Sequence, residues 1–179
     1  AIGDIMSHSQ NFKAAYSSAT KTYDFSSVFE QIQPYVAGAD IAIGNVETTF
    51  AGQSRGYSGY PTFNTPEALA TDLAELGIDV VTTANNHSLD KGYTGLVSTL
   101  DELDAAGIEH TGTYRSEEEQ NTILVKDVNG IKVAFLSFTY GTNGIPVPSG
   151  KDYCVNLIDK DFIAQQLNLA KELSPDVIC

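Results

Sequence analysis

The chain has 179 residues, 42% of them apolar, and a formal net charge of −13. That length suits one domain able to bury about 70% of the surface its unfolded chain exposes, and the apolar share argues against disorder. The negative charge argues against a nucleic-acid partner and against simple electrostatic docking on an anionic membrane, while it suits a bound metal cation.

In chain order, "AIGDIM" reads as the last part of a strand. Phe25, Val28, Phe29, Ile32, Tyr35 and Val36 recur at helical spacing, with Asp24 placed to cap. "ADIAIGNVE" is a short apolar strand, and residues 48–65, rich in Gly, Ser, Thr and Tyr, read as a long loop. Thr65-Pro66-Glu67 starts a helix whose Leu69, Leu73 and Leu76 share one face and which Gly77 stops. "IDVVTTA" is a second strand, followed by a helical face of Tyr93, Leu96, Val97, Leu100 and Leu103 that ends at Gly107. "IEHTG" reads as a short strand.

The pattern then changes. "TILVKDV" and "IKVAFLSF" flank Asn129-Gly130, the strongest short hairpin signal. "GTNGIPVPSG" is a loop, and residues 159–173 return to helix, with Phe162, Ile163, Leu167, Ala170 and Leu173 turned inward. "SPDVIC" reads as the start of another strand, so both ends read as cut, and the lack of a signal or anchor says nothing about compartment. No apolar run approaches the ~20 residues of a spanning helix. Cys154 and Cys179 are compatible with pairing or with two free thiols, and no Cys-x-x-Cys is present.

"ADIAIGN", "IDVVTTANN" and "PDVIC" share one form: an aspartate and then a β-rich apolar run, each following a helix. Strands alternating with helices predict an α/β fold with a mostly parallel sheet, whose ligands bind beyond the carboxyl ends of the strands. Three strand ends carry polar clusters: "GDIMSH" with Asp4 and His8, "GNVE" with Asn45 and Glu47, and "ANNHSLD" with Asn85, Asn86, His87 and Asp90. On neighbouring strands these side chains converge. Such mixed oxygen and nitrogen donors suit Mn, Fe or Zn, with enough members for two ions ~3.5–4 Å apart, and a histidine beside them can protonate a leaving oxygen.

Each residue also has a bland reading. Asp4 can shape a turn, His8 can sit on the surface, Glu47 can be solvated, Asn85-Asn86 can form a turn, and Asp90 can cap the helix that begins near Gly92. His110 reads as structural or exposed, and Glu117-Glu118-Glu119 as a solvated helix turn. Tyr57, Tyr60 and Phe63, with Arg55, either wall a substrate or pack the long loop down.

On "GDIMSH", "DIAIGNVETTF", "YPTFNTPEALATDLAELGIDVVTTANNHSLDKGYTGLVSTLDELDAAGIEHTGTY" and "VAFLSFTYGTN", the sequence resembles the bacterial capsule-synthesis family of the CapA type, over nearly its whole length. That family is similar in turn to calcineurin-like metallophosphoesterases. The resemblance implies a metallophosphatase-like four-layer α/β/β/α sandwich around a two-metal centre, with residues 1–179 as the N-terminal portion of one such domain, incomplete at its C-terminal end. It assigns Asp4, His8, Asn45, Glu47 and Asn86 to the metal and His87 to the acid that meets the substrate, with Asn85 and Asp90 in support.

Three departures stand out. Asp4-x-x-x-His8 is two residues longer than the usual Asp-x-His. Gly44-Asn45 stands where the pattern has Gly-Asp, with Glu47 two residues on and on the same strand face. Ala84-Asn85-Asn86-His87 does resemble Gly-Asn-His-Asp/Glu, Asn86 matching the ligand Asn and His87 the acid, but the pattern's later histidines are not among these residues.

The implied role is synthesis or export of a γ-linked glutamate polymer in the cell envelope, outside the cytoplasm. The implied cofactor is one or two divalent ions, the partners are the capsule polymer or its synthesis machinery, and membrane association runs through an anchor outside these residues. Two alternatives stand beside a metal-dependent hydrolase: a non-catalytic binding component of the same machinery, and a general phosphoesterase. A net charge of −13 should also repel poly-glutamate at long range, unless metal or Arg55 and Lys91 offset it near the site.

Overall fold

A computed structural model describes residues 1–179. The chain runs β1 (Asp4–Ile5), α1 (Ser9–Ala15), β2 (Tyr16–Ser17), β3 (Thr22–Tyr23), α2 (Ser26–Phe29), α3 (Gln33–Val36), β4 (Ile43–Val46), α4 (Ala68–Leu76), β5 (Val80–Thr82), α5 (Gly92–Ala106) and β6 (Glu109–Thr111). It continues through α6 (Glu117–Asn121), β7 (Leu124–Val128), β8 (Ile131–Phe135), α7 (Lys160–Glu172) and β9 (Val177–Ile178).

Strands β1, β4, β5 and β6 form one parallel sheet in that order. The connections β4–α4–β5 and β5–α5–β6 are βαβ units, as the alternating pattern predicts. Helices α4 and α5 turn Leu69, Leu73, Leu76, Leu96, Leu100 and Leu103 onto the sheet, where all six are buried. Both helices end on a glycine in the left-handed region, Gly77 at φ 100° and Gly107 at φ 78°, which closes the last turn onto carbonyls of the helix.

A second sheet holds β7, β8 and β9. Strands β7 and β8 are the antiparallel hairpin expected at Asn129-Gly130, both of whose φ angles are positive, as its two-residue turn requires. Strand β9 pairs parallel to β8 after the α7 crossover. A parallel four-stranded sheet flanked by helices, with this second sheet, gives a metallophosphatase-like α/β fold.

Two expectations need correction. Residues 25–36 do not form one helix but two short ones, and Tyr35 is 82% exposed rather than inward. Pro34 lies in the first turn of α3, and lacking an N–H it cannot continue a hydrogen-bond ladder from α2. Asp24 is not the cap either: Phe25 holds the N-cap position without a side-chain bond, and Asp24 Oδ1 accepts from the Ser26 N–H at 2.9 Å in the turn that leads into α2. In α7, Leu173 is exposed, while Gln166 is fully buried beside Ala170. No helix is long and apolar enough to cross a membrane. Cys154 and Cys179 are both free, the first buried and the second exposed.

Candidate functional site

Parallel register brings the polar strand ends together. Asp4 pairs with Asn45, Asn45 with Thr82, and Thr82 with Thr111, so one row of side chains crosses the carboxyl end of the first sheet. Glu47 follows on the same face as Asn45, because side chains alternate along a strand.

Asn45 is the hub of this row. Its Nδ2 donates to Asp4 Oδ1 at 2.9 Å and to Glu47 Oε2 at 3.2 Å. Its Oδ1 accepts from Thr82 Oγ1 and from Asn85 Nδ2, both at 3.2 Å. Both amide hydrogens and both oxygen lone pairs are therefore used. Turning the amide round would face oxygen to two carboxylates and nitrogen to two donors, so the network fixes the orientation. Asn45, expected among the metal ligands, here holds the two carboxylates as a donor.

Asp4 and Glu47 thus converge with a neutral amide between them, and neither takes part in any ion pair of the chain. Burial, and after it the Asp4 charge, push the Glu47 carboxyl above the usual carboxylate range, against the opposing pull of His87 and the Asn45 amide. Two close carboxylates without a lysine or arginine are a donor set that suits a hard divalent ion. No group of three or more His, Cys, Asp and Glu side chains comes together in a way that could hold a metal. Asp4 and Glu47 thus supply two carboxylate donors here, fewer than the set expected for two ions.

The 84–90 turn is built by its own side chains. Ser88 Oγ donates to Asn85 O at 2.6 Å, and Asn85 Oδ1 accepts from the His87 N–H at 3.0 Å. Asn85 Nδ2 also donates to Val46 O at 2.8 Å, tying the turn to β4. Asn85 is buried structure rather than a free ligand. Asn86 is half-buried and lines a cleft of about 440 Å³ with His87, Tyr60, Thr62, Asn143 and Ile145.

His87 and Asp90 form a buried pair, Nδ1 to Oδ2 at 2.7 Å. Asp90 Oδ2 also accepts from the Phe63 N–H at 2.6 Å, so Asp90 does not cap the following helix. Burial raises the Asp90 carboxyl despite these partners, and its Oδ1 has none. With Nδ1 engaged, Nε2 is the ring nitrogen left for proton transfer.

His8 stands apart from the carboxylate pair. It is exposed, and its ring meets the edge of Phe63 at 5.1 Å between centroids, while Phe63 meets His87 at 4.7 Å on its other contact. A buried phenylalanine therefore lies between the two histidines. The long loop divides by role. Phe63 packs into the site, Tyr57 donates to Glu67 at 2.6 Å, Arg55 donates to Thr94 at 2.7 Å, and Tyr60 remains 77% exposed. Outside the site, His110 has a buried side chain, 3.1 Å from Asp104.

Sequence reasoning missed Asn143, whose Nδ2 lies 3.5 Å from His87 Nδ1. The only signal was Asn143-Gly144, a turn dipeptide with both φ positive, which carries no chemical hint.

Fold and site together define a metallophosphatase-like α/β protein with a carboxylate pair and a His–Asp pair at the strand ends. Residues 1–176 match the family of the bacterial capsule synthesis protein PGA_cap, and the chain belongs to that family. It is similar to the capsule biosynthesis protein CapA of Bacillus anthracis, 24% identical over 149 residues, which is 81% of this chain and 36% of that protein. It is similar also to the PGA biosynthesis protein CapA of Bacillus subtilis, 27% identical over 116 residues, 63% of this chain and 30% of that one. Protein y4sH of Sinorhizobium fredii is 33% identical over 116 residues, 61% of this chain and 25% of its own length. The chain therefore spans only a quarter to somewhat over a third of these relatives.

Proposed function

We propose that this protein serves capsule polymer formation in the cell envelope, outside the cytoplasm, through a metal-dependent, phosphoesterase-like site. Its partners in this reading are the polymer, a γ-linked glutamate chain as the names of the Bacillus relatives suggest, or the machinery that makes it. The observation that carries the reading is the pair Asp4 and Glu47, without a cationic side chain, next to the His87–Asp90 pair.

Asp4 and Glu47 would hold a divalent ion such as Mn, Fe or Zn, while Asn86 lines the cleft beside His87. When bound, such an ion supplies Lewis acidity toward a phosphoryl oxygen and lowers the pKa of a bound water. Asp90 holds the His87 ring through Nδ1, which leaves His87 Nε2 placed to deliver a proton to the leaving oxygen. Asn45 keeps the two carboxylates at fixed positions. Phe63 excludes water from one side of the His87 ring.

A second reading has a specific observation in its favour. Asn45 stands where a bridging carboxylate would join two ions, and a neutral donor there suits a site that binds without turning over. Metal content of the purified protein, followed by bis-p-nitrophenyl phosphate turnover, separates the two. Metal bound by the native chain, lost in Asp4→Ala, with turnover lost in His87→Ala, supports the hydrolase. Bound metal without turnover favours the binding component. No metal after loading with Mn²⁺ or Zn²⁺ overturns the hydrolase.

A further inference from the structure

The cleft beside His87 is lined by eight residues, and none of them is lysine or arginine. Lys91, next to Asp90 in the chain, is the one basic group whose charge reaches a residue of the cleft, and two others are engaged elsewhere. Arg55 donates to Thr94 Oγ1 at 2.7 Å and to Lys91 O at 3.4 Å, and Lys151 sits 4.0 Å over the Tyr93 ring. With a net charge of −13 behind it, such a cleft offers successive carboxylates of a polyanion the single charge of Lys91 at one end and no cationic lining. A single ion at Asp4 and Glu47 would supply one point of positive charge, not a track.

What the cleft does offer is a different chemistry. Tyr60 presents an aromatic face that is 77% exposed at the rim. Asn86 and Asn143 each bring a carboxamide, which donates and accepts at once, and Thr62 brings a hydroxyl. This set matches a pyranose ring, whose C–H face stacks on an aromatic and whose hydroxyls need partners that both donate and accept. Asn143 also lies beside the acid of the site, its Nδ2 3.5 Å from His87 Nδ1.

We infer that the cleft takes a neutral sugar unit and sets it beside His87. The inference rests on the reading of His87 as the acid of the site, and it names the class of group that acid acts next to. The linkage cleaved or held is then carried on a sugar, and the poly-glutamate chain is not the ligand of this cleft.

The test is a calorimetric titration of the native chain with maltotriose and with chitotriose, beside a γ-linked glutamate trimer, with and without Mn²⁺. Tyr60→Ala, Tyr60→Phe and Asn143→Ala are titrated in parallel, after circular dichroism has shown each to be folded. At least one neutral trisaccharide should bind saturably, independent of salt. Its affinity should fall roughly three- to tenfold in Tyr60→Ala and in Asn143→Ala, and hold in Tyr60→Phe. Absence of saturable sugar binding, sugar binding untouched by both alanine variants, or tighter binding of the glutamate trimer would each overturn the inference. Mn²⁺ content of the same samples keeps the two readings apart. Metal bound without sugar sinks this inference alone, and sugar bound without metal sinks the metal reading alone.

Discussion

His87 and Asp90 stand three residues apart on one turn and meet at 2.7 Å, with the Asp90 side chain 1% exposed. A carboxylate that deep is held above its usual range by burial, yet it takes a hydrogen bond from the ring and a second from the Phe63 N–H. The pair therefore depends on the long loop as well as on its own turn. Phe63 bonds Asp90 with its backbone and flanks His87 with its ring.

Asp90→Asn keeps the shape and removes the carboxylate that orients the imidazole. Turnover in the hydrolase reading should drop by roughly 10- to 100-fold or more, while metal content is unchanged. Asp90→Ala should in addition cost about 1–3 kcal/mol of stability, because the buried Phe63 N–H loses its acceptor. Urea unfolding and steady-state kinetics of both variants check this, and full activity in Asp90→Asn would rule out a working His–Asp pair.

Glu47 carries a pH signature. Its folded pKa is raised, by burial and then by Asp4, so the folded state holds a proton more tightly than the unfolded chain does. Its contribution to stability is full below the unfolded value of about 4.3 and is lost as pH rises through the folded value. Glu47→Gln should therefore gain stability relative to the native chain as pH climbs from acid toward neutrality. Added Mn²⁺ should stabilise the native chain more than the variant at neutral pH. Urea midpoints across that range test both, and a pH-independent gap between the two proteins would count against the strained carboxylate pair.

Much of this was legible in the sequence, for identifiable reasons. Val80 and Val81 followed by Asn85, Asn86 and His87 announce a buried strand ending in chemistry, since apolar runs and strand ends are local features. Leu69, Leu73 and Leu76 with Gly77 announce a helix and its stop in the same local way. Asn129-Gly130 states its turn through two positive φ angles. The break between Phe29 and Gln33 escapes a periodicity reading, because the apolar spacing from Phe25 to Val36 runs straight through it. The site's connections depended on register, which no single stretch encodes. That Asn45 spends all four hydrogen-bonding positions on Asp4, Glu47, Thr82 and Asn85 requires three strands in parallel alignment. Phe63 between His8 and His87 requires a loop folded back over the sheet end, and a loop's path is not written in its composition.

His110 gives a pH signature of the opposite sign. Burial lowers its pKa, with Arg115 acting the same way and Asp104 and Glu119 opposing, and its Nδ1 has no partner. The lowered pKa means a contribution to stability that is present above the unfolded value of about 6.5 and lost as pH falls from there through the lower folded value. The stability advantage of the native chain over His110→Gln should thus shrink between neutral pH and mildly acid pH. Urea midpoints for the two proteins at both ends of that window measure it, and an advantage that grew on acidification would contradict the buried, neutral imidazole.

Gly112 sits where the end of β6 passes under the root of the 84–90 turn. Its φ is +109°, and a Cβ there would lie 2.6 Å from Ala84 Cβ, 2.8 Å from Ala84 N and 3.0 Å from Ser137 Cβ. Gly112→Ala therefore combines an unfavourable backbone region with collisions against both sheets, and should cost about 2–4 kcal/mol. Because the push falls on Ala84, which leads directly into Asn85 and His87, the variant should also weaken the site beyond its loss of stability. Adding Ala84→Gly removes the Cβ collision but leaves the backbone nitrogen, so the double variant should recover part of the stability and not all of it. Urea unfolding of the single and double variants reads this directly. A cost under about 1 kcal/mol for Gly112→Ala would mean that the strand end is free to move, and that the position of His87 is set by Asn85 and Phe63 alone.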